Sequence, residues 1–267
     1  MVAEMFSWGE DKNYKISKGI VTSLNTVAKP KSRDKKKRKP WDLLDLEKHF
    51  NSKEYQQGQY FKQASMVWVP LIALFTGGTL SELVQLYSSD IFEKEGEWVI
   101  DINSGDDKEL KVEGSDDDEP DGRPRIIPIH QQLIKLGFID FVEHQQSKGE
   151  QKLFPDEPRN KNYKFDNFSK RFRYYRDKVG AGPRNDKEFR DFHSFRHLVR
   201  TNLEEIGVET GLIDDIIGHT SKDRSMGKQI YSHSELIKRK AAAIKKLNYP
   251  CIDFTKIRDW KHHKFKI

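Results

Sequence analysis

The segment that most constrains the fold is the run of residues 66–75 (MVWVPLIALF), in which nearly every side chain is apolar. It is too short to cross a bilayer, because a membrane-spanning helix needs about 20 apolar residues. A short run without polar alternation is typical of an element that is buried on all sides. We therefore predict a core helix of a globular domain here, with Pro70 as the point where it would break.

The segments around this run predict a mixed architecture. Asp42 is a predicted helix N-cap, with Asp45 at the third helical position. Between residues 98 and 129 the pattern becomes β-branched or alternating, in the segments WVIDIN, ELKV and RIIPI. These three segments predict a small antiparallel sheet, whose last turn is an acidic solvated loop at residues 113–122.

Everything after residue 129 is predicted to be helical. Apolar side chains recur there at helical spacing, and the helices are predicted to stop at Gly180, Gly207 and Gly218. The fold class is therefore mainly α with a small antiparallel β-sheet (α+β).

Positive charge is distributed unevenly along the chain. The 267 residues carry a net charge of +6, with a pI near 9.1, which favours a polyanionic partner. Basic residues crowd the segment 29–40, which ends at Pro40, and predict an extended linker. A solvated or nuclear-targeting run would have the same composition, and the sequence leaves this alternative open. Residues 1–28 are too few for a domain, and residues 41–267 form the main domain.

The compartment is predicted from cysteine usage. Cys251 is the single cysteine, so an intrachain disulfide is excluded and a cytosolic setting is favoured. No apolar run is long enough for a membrane span or resembles a secretory signal.

The most informative motif is DFHSFRH at residues 191–197. His193 and Arg196 are three residues apart, so they share one helix face and could bind a phosphate and move protons on it. An unremarkable surface pair has the same spacing. His193 and His197 also have a zinc-ligand spacing, but Arg196 lies between them and the HExxH glutamate is missing, so we predict no metal.

Two further elements follow this motif in order. The segment Ile217-Gly218-His219 comes at a predicted helix end, and Tyr231 follows twelve residues after His219. HxxR, then GH, then a tyrosine resembles the C-terminal signature of the tyrosine recombinases. The resemblance to phage-type integrases extends from about residue 40 to residue 254. The segment 76–86 (TGGTLSELVQL) is similar to the family's first motif, TGxRxxEL.

The resemblance implies a nucleophilic attack on a DNA phosphodiester. Tyr231 would form a phosphotyrosyl link and release a 5′-hydroxyl, which can later reverse the step on another strand. Arg196 and His219 would hold the phosphate oxygens, and His193 would assist proton transfer. Neither ATP nor a metal or other cofactor is needed, because cationic side chains can neutralise the transition state.

Supporting roles are implied in the same way. A lysine of the β-hairpin would protonate the leaving oxygen, and its position before the acidic turn favours Lys111 over Lys108. Glu82 matches the glutamate of the first motif and would orient other groups. Tyr249 is the nearest tyrosine downstream of Tyr231.

The departure from the pattern is Thr79, which stands where the first motif has an arginine. A threonine hydroxyl carries no charge and cannot hold two phosphate oxygens at once. Loss of an arginine clamp in another phosphoryl-transfer system costs roughly 10³ to 10⁵ in rate. Either the chain is an engineered or decayed variant, or a basic side chain from elsewhere takes this place.

The sequence therefore predicts site-specific DNA recombination or integration, with impaired activity. The resemblance implies double-stranded DNA and further protomers as partners, and no membrane. It also implies a cytoplasmic location, with a bacterial host or a phage or mobile element as the origin. Residues 1–28 would be the end of a truncated core-binding domain. The predicted DNA-contacting residues are basic: Lys35, Lys36, Lys37, Arg38, Lys39, Lys170, Arg171, Arg173 and Arg176.

Three alternatives remain open at this point. The first is a DNA-binding remnant of an integrase that has lost catalysis. The second is a type IB topoisomerase, which uses similar groups. The third is a sequence-specific regulator with a basic helix, which would leave the ordered motif residues unexplained.

Overall fold

The computed structural model of the chain describes residues 37–58, 60–105, 108, 123–159, 165–182, 188–219 and 232–262. The described residues from Arg38 onward form one compact unit. The α-helices there are α1 (Leu43–Phe50), α2 (Lys53–Gln57), α3 (Ser65–Thr76), α4 (Leu80–Val84), α5 (Gln131–Lys135), α6 (Phe138–Ser147), α7 (Asp166–Lys178), α8 (Ser194–Glu205), α9 (Thr210–Ile217) and α10 (His233–Lys245). The strands are β1 (Lys37–Arg38), β2 (Ile91–Lys94), β3 (Glu97–Ile102), β4 (Arg125–Pro128) and β5 (Glu188–Phe189). Short 3₁₀ turns are Ser88–Asp90, Phe254–Lys256 and Trp260–His262.

Helix α3 contains the apolar run and is buried along its whole length. The possible break at Pro70 does not occur, because the helix continues from Ser65 to Thr76. A proline inside a helix costs about 3 kcal/mol. Burial of the surrounding large side chains offsets this cost, and α3 packs against α8 and α4.

The sheet is antiparallel and has the order β2-β3-β4. Ile100 lies opposite both Ile91 on β2 and Ile127 on β4, so the central strand anchors the apolar face. The sheet is therefore small and antiparallel, as predicted. Its first strand is β2, which the sequence reasoning missed. The predicted strand ELKV and the acidic loop lie outside the described residues.

The helix boundaries were predicted from capping residues and helix-ending glycines, and the structure confirms several of them. The Asp42 side chain accepts a 2.9 Å hydrogen bond from the Asp45 N–H at the start of α1. Gly180, Gly207 and Gly218 follow α7, α8 and α9 with positive φ angles. The predicted fold class, mainly α with a small antiparallel sheet, is confirmed. The domain boundaries at residues 28 and 40 stay a prediction.

Candidate active site

The first motif forms a tight turn between α3 and α4. Gly77 caps α3 in the left-handed conformation (φ 64°). A Cβ atom added there would lie 3.1 Å from Ile217 Cγ2 and 3.4 Å from Val199 Cβ. Glycine is therefore required both for the backbone conformation and for the close approach of α8 and α9 to the turn.

Thr79 is the N-cap of α4. Its side chain accepts a hydrogen bond from the Glu82 N–H, and its own N–H donates to Glu82 Oε2 at 2.8 Å. This is a capping box, and Thr79 is 8% exposed. The hydroxyl that replaces the expected guanidinium is thus used to start a helix.

Arg196 connects two of the motifs. It lies on α8 with 2% exposure, and its Nη1 donates to the Gly77 carbonyl at 3.3 Å and to the Ile217 carbonyl. Gly77 belongs to the first motif, whereas Ile217 immediately precedes Gly218 and His219. One buried guanidinium therefore brings the first motif, the HxxR helix and the GH segment together.

The two histidines of the candidate site lie at helix ends. His219 follows Gly218, which ends α9 with φ 84°, and the N–H groups of both residues donate to the Asp214 carbonyl, at 2.8 and 3.0 Å. His193 is the N-cap residue of α8, and its ring centroid lies 5.3 Å from that of His197. Both His193 and His219 are half-buried, so each ring has partial access to solvent.

Glu82 is the buried carboxylate at the centre of these contacts. Arg125 on β4 binds it with two hydrogen bonds, from Nη1 to Oε1 at 2.7 Å and from Nη2 to Oε2 at 2.9 Å. Burial alone would raise the pKa of Glu82, but Arg125 and, more weakly, Arg196 outweigh it and hold this pKa below its usual value. Glu82 is therefore an ionised structural carboxylate. The sequence reasoning missed Arg125.

Of the two candidate hairpin lysines, Lys108 lies within the described residues. Lys108 Nζ donates to both carboxylate oxygens of Asp90, at 2.7 and 2.9 Å, and lies 4.5 Å from the centre of the Tyr87 ring. Its side chain is 7% exposed. Lys111 lies outside the described residues, and so does Tyr231.

Tyr249 is unsuited to act as a nucleophile. It is 1% exposed, and its hydroxyl donates to the Leu74 carbonyl at 2.6 Å. Burial raises its pKa above the usual value, so the phenolate that would attack phosphorus is disfavoured.

The basic residues of α7 do not share one environment. Lys170 and Arg173 are exposed, whereas Arg171 forms an ion pair with the buried Glu157. Arg176 is 7% exposed and donates to the Arg190 carbonyl, because it lies on the helix face that Phe172 buries. Of the four basic residues of α7 that were predicted to contact DNA, Lys170 and Arg173 are the exposed ones, and the contact itself stays a prediction.

The linker residues are only partly described. Arg38 is half-buried and binds Asp191 through Nε and Nη2, at 3.3 and 3.2 Å from Oδ2. Lys39 is half-buried as well. Lys35, Lys36 and the side chain of Lys37 lie outside the described residues.

A second buried cation lies next to β4. Lys240 on α10 is 4% exposed, and its Nζ donates to the Ile126 carbonyl at 3.0 Å. Burial lowers its pKa to about 8, which the nearby carboxylate of Asp215 partly opposes. This bond attaches α10, the helix that begins two residues after Tyr231, to the sheet.

The comparison with protein families decides the classification. Residues 50–236 match the model described as the phage integrase family, which is well over half of the chain. The chain belongs to the phage integrase family. Its members are tyrosine recombinases, so the resemblance seen in the motifs is confirmed. A comparison with curated protein sequences gave no significant match.

Solved structures similar to this phage integrase family chain include three recombinases. The integrase from mycobacterium phage Brujita is 16% identical, with a TM-score of 0.49, and the match covers 96% of this chain and 74% of that one. The XerA recombinase is 16% identical, with a TM-score of 0.46 and coverages of 91% and 76%. The XerH site-specific recombinase bound to its difH substrate is 15% identical, with a TM-score of 0.44 and coverages of 75% and 51%.

Within the described residues, no three His, Cys, Asp or Glu side chains are grouped so that they could hold a metal ion. In the same part of the chain, no helix combines the length and the hydrophobicity that crossing a bilayer requires.

Proposed function

We propose that this chain is a catalytic domain for site-specific recombination that breaks and rejoins double-stranded DNA through a phosphotyrosyl intermediate. The observation that carries the proposal is the position of Arg196, which binds the carbonyls of Gly77 and Ile217. The three motif segments that the chemistry needs are thereby neighbours in space, although they are far apart in the sequence. The family match supports the same reaction class.

The chemistry follows from the groups available. The Tyr231 hydroxyl passes its proton to His193 as its oxygen attacks phosphorus, the bond from phosphorus to the 5′-oxygen breaks, and that oxygen takes up a proton from Lys111. Arg196 and His219 stabilise the charge that develops on the non-bridging oxygens, and His193 moves protons. The reverse attack by a 5′-hydroxyl of another strand releases Tyr231 and rejoins the DNA, so the sum of bonds is unchanged and no cofactor is consumed.

Lys111 is the proposed donor of the proton to the leaving oxygen. The other hairpin lysine, Lys108, is unsuited to this role because its ammonium group is buried against Asp90. Moving Lys108 to the DNA would leave the carboxylate of Asp90 buried without its ion-pair partner, which is costly.

We further propose that catalysis is impaired while DNA binding persists. The Thr79 hydroxyl is a neutral cap within α4, and it cannot replace a guanidinium. The nearest buried guanidinium on β4, that of Arg125, is bound to Glu82 on both terminal nitrogens. It therefore does not reach outward to take the place of the missing arginine. The same observations favour the second candidate, a DNA-binding protein that has lost cleavage altogether.

DNA is proposed to lie along exposed basic side chains. Lys170 and Arg173 on α7 point to solvent, and the basic segment 29–40 adds charge that attracts phosphates. The partners are double-stranded DNA and, in a recombination complex, further copies of the chain.

The test of this function is a covalent adduct. A duplex is first selected from a random library for binding to the wild-type chain, and it is then made with a nick so that cleavage is trapped. The trapped protein–DNA adduct is measured on denaturing gels after long incubation. We expect Tyr231→Phe to abolish the adduct and to leave the affinity nearly unchanged, because one hydroxyl is lost.

The control is Tyr174→Phe, which removes a hydroxyl from an exposed tyrosine on α7. An adduct that persists in Tyr231→Phe would contradict the assignment of the nucleophile. If the wild-type chain neither forms the adduct nor binds the duplex, the proposed function as a whole is contradicted.

A further inference from the structure

We propose that Arg125 is a positioning residue of the active site: it compensates the charge of Glu82 and holds the end of α9, so that Arg196 and His219 face the DNA phosphate. The inference rests on the proposed function, which assigns the phosphate to Arg196 and His219. The sequence analysis assigned no role to Arg125.

The contacts of Arg125 connect three elements. Its Nε donates to the Ile216 carbonyl at 2.9 Å, and its Nη1 donates to the Arg123 carbonyl at 3.1 Å as well as to Glu82. Glu82 in turn accepts the Thr79 N–H. Through one side chain, β4 therefore holds both the start of α4 and the end of α9.

Arg125 and Arg196 bind successive backbone carbonyls at the end of α9. Arg125 binds the Ile216 carbonyl, and Arg196 binds the next one, that of Ile217. Gly218 and His219 follow directly. Because successive carbonyls are held from two sides, the backbone at His219 has little freedom to turn the imidazole away from the site.

Gly218 shows how closely Arg125 approaches this backbone. A Cβ atom added to Gly218 would lie 2.5 Å from Arg125 Nη1 and 2.7 Å from its Cζ. The left-handed φ of 84° also favours glycine at this position. The glycine of the GH segment is thus required by the guanidinium that packs on it as well as by the end of the helix.

Arg125 acts from within the protein and does not bind the phosphate itself. A guanidinium has five N–H donors, and four of those on Arg125 are committed to Glu82 and to the carbonyls of Arg123 and Ile216. Its side chain is 2% exposed. A phosphate oxygen would have to displace a buried carboxylate to bind here.

The test must separate positioning from stability. Arg125→Met alone would leave Glu82 buried and ionised without its partner, so that variant would be too unstable to interpret. The double variant Glu82→Gln/Arg125→Met avoids this, because glutamine keeps an oxygen for the Thr79 N–H and carries no charge. Glu82→Gln alone shows the effect of the carboxylate. Arg239→Gln removes an arginine that binds Glu209 at the other end of α9.

The first readout needs no activity. The His219 ring is followed by NMR in histidine-labelled protein without DNA, well below the unfolding temperature, and its signal is assigned with His219→Asn. We expect the double variant to move the His219 ring signals, because it removes the donor that holds the Ile216 carbonyl, and Arg239→Gln to leave them in place. An unmoved His219 signal in the folded double variant would overturn the proposal.

The second readout is adduct formation in a Thr79→Arg background. We expect the double variant to form the adduct at least about tenfold more slowly at saturating DNA, with the affinity changed less than about twofold. A rate within threefold of the parent would show that Arg125 only stabilises the fold. If the Thr79→Arg parent itself forms no adduct, the proposed cleavage activity fails, and the NMR comparison still decides the role of Arg125.

Discussion

The side chain of His49 allows a quantitative prediction, because its ring is shielded from solvent. The ring is fully buried, and its centroid lies 4.8 Å from that of Phe50, 4.9 Å from Tyr175 and 5.2 Å from Trp41. Within the described residues, neither ring nitrogen has a hydrogen-bond partner. The perturbation we consider is His49→Phe, which keeps a flat ring and removes both nitrogens.

The magnitude follows from the charge state. Burial and, second, the nearby Arg176 lower the pKa of His49 from 6.5 to about 3. Between these two pH values, His49 is protonated in the unfolded chain but neutral in the folded chain. The free energy of unfolding therefore decreases as the pH falls through this window. One pKa unit corresponds to about 1.4 kcal/mol, which gives up to about 5 kcal/mol over the whole window. Between pH 7.5 and pH 5 the loss is about 2 kcal/mol.

The assay is urea unfolding of the wild type and of His49→Phe at pH 7.5 and pH 5. We expect the variant to be more stable by about 1–3 kcal/mol at pH 7.5, because two unsatisfied polar atoms leave the core. Its advantage should grow by about 2 kcal/mol at pH 5. The control His233→Phe, at an exposed position, should keep the wild-type loss. An advantage of His49→Phe that is the same at both pH values would refute the reasoning.

The remaining predictions concern the basic side chains. Lys108→Met should lower the free energy of unfolding by about 3–5 kcal/mol in urea unfolding, because the buried Asp90 loses its partner. Lys111→Met should leave stability within about 0.5 kcal/mol and slow adduct formation in a Thr79→Arg background; the reverse pattern would move the proton donor to Lys108. Lys170→Gln/Arg173→Gln should reduce the slope of log affinity against log salt by about 2 for every duplex tested, and an unchanged slope would remove α7 from the DNA interface.

The parts of the fold that were predicted correctly have local causes. Asp42 and Gly218 act on backbone groups within a few residues, so capping and helix termination are visible in the sequence. Strand β2 was missed because its turn, Glu95-Gly96, lacks the usual hairpin pair, although both residues have positive φ (54° and 78°). Its side chains are also only partly buried, which weakens the pattern.

The candidate site likewise contains residues that the sequence predicted and residues that it did not. His193, Arg196 and His219 were predicted as site residues because their order in the sequence is informative. Arg125 was missed because its partner Glu82 is 43 residues away, and no local pattern marks an ion pair across elements. The burial of Arg176 had a signal, since it lies four residues after Phe172 on the apolar face of α7.

The central claim is that Thr79 limits cleavage by this chain. Thr79→Arg would supply the missing guanidinium at the start of α4, and it would remove the capping hydroxyl at a cost of about 1 kcal/mol of stability. Thr79→Lys is the matched control, because it loses the same cap and adds charge without the bidentate geometry.

The measurement that tests this claim most directly is the rate of adduct formation on the selected nicked duplex, compared among the wild type, Thr79→Arg and Thr79→Lys. We predict a gain of roughly 10³-fold or more for Thr79→Arg, a much smaller gain for Thr79→Lys, and affinities within a few-fold of one another. A folded Thr79→Arg protein that binds the duplex and cleaves no faster than the wild type would contradict the claim. A wild-type chain that already cleaves rapidly would contradict it as well.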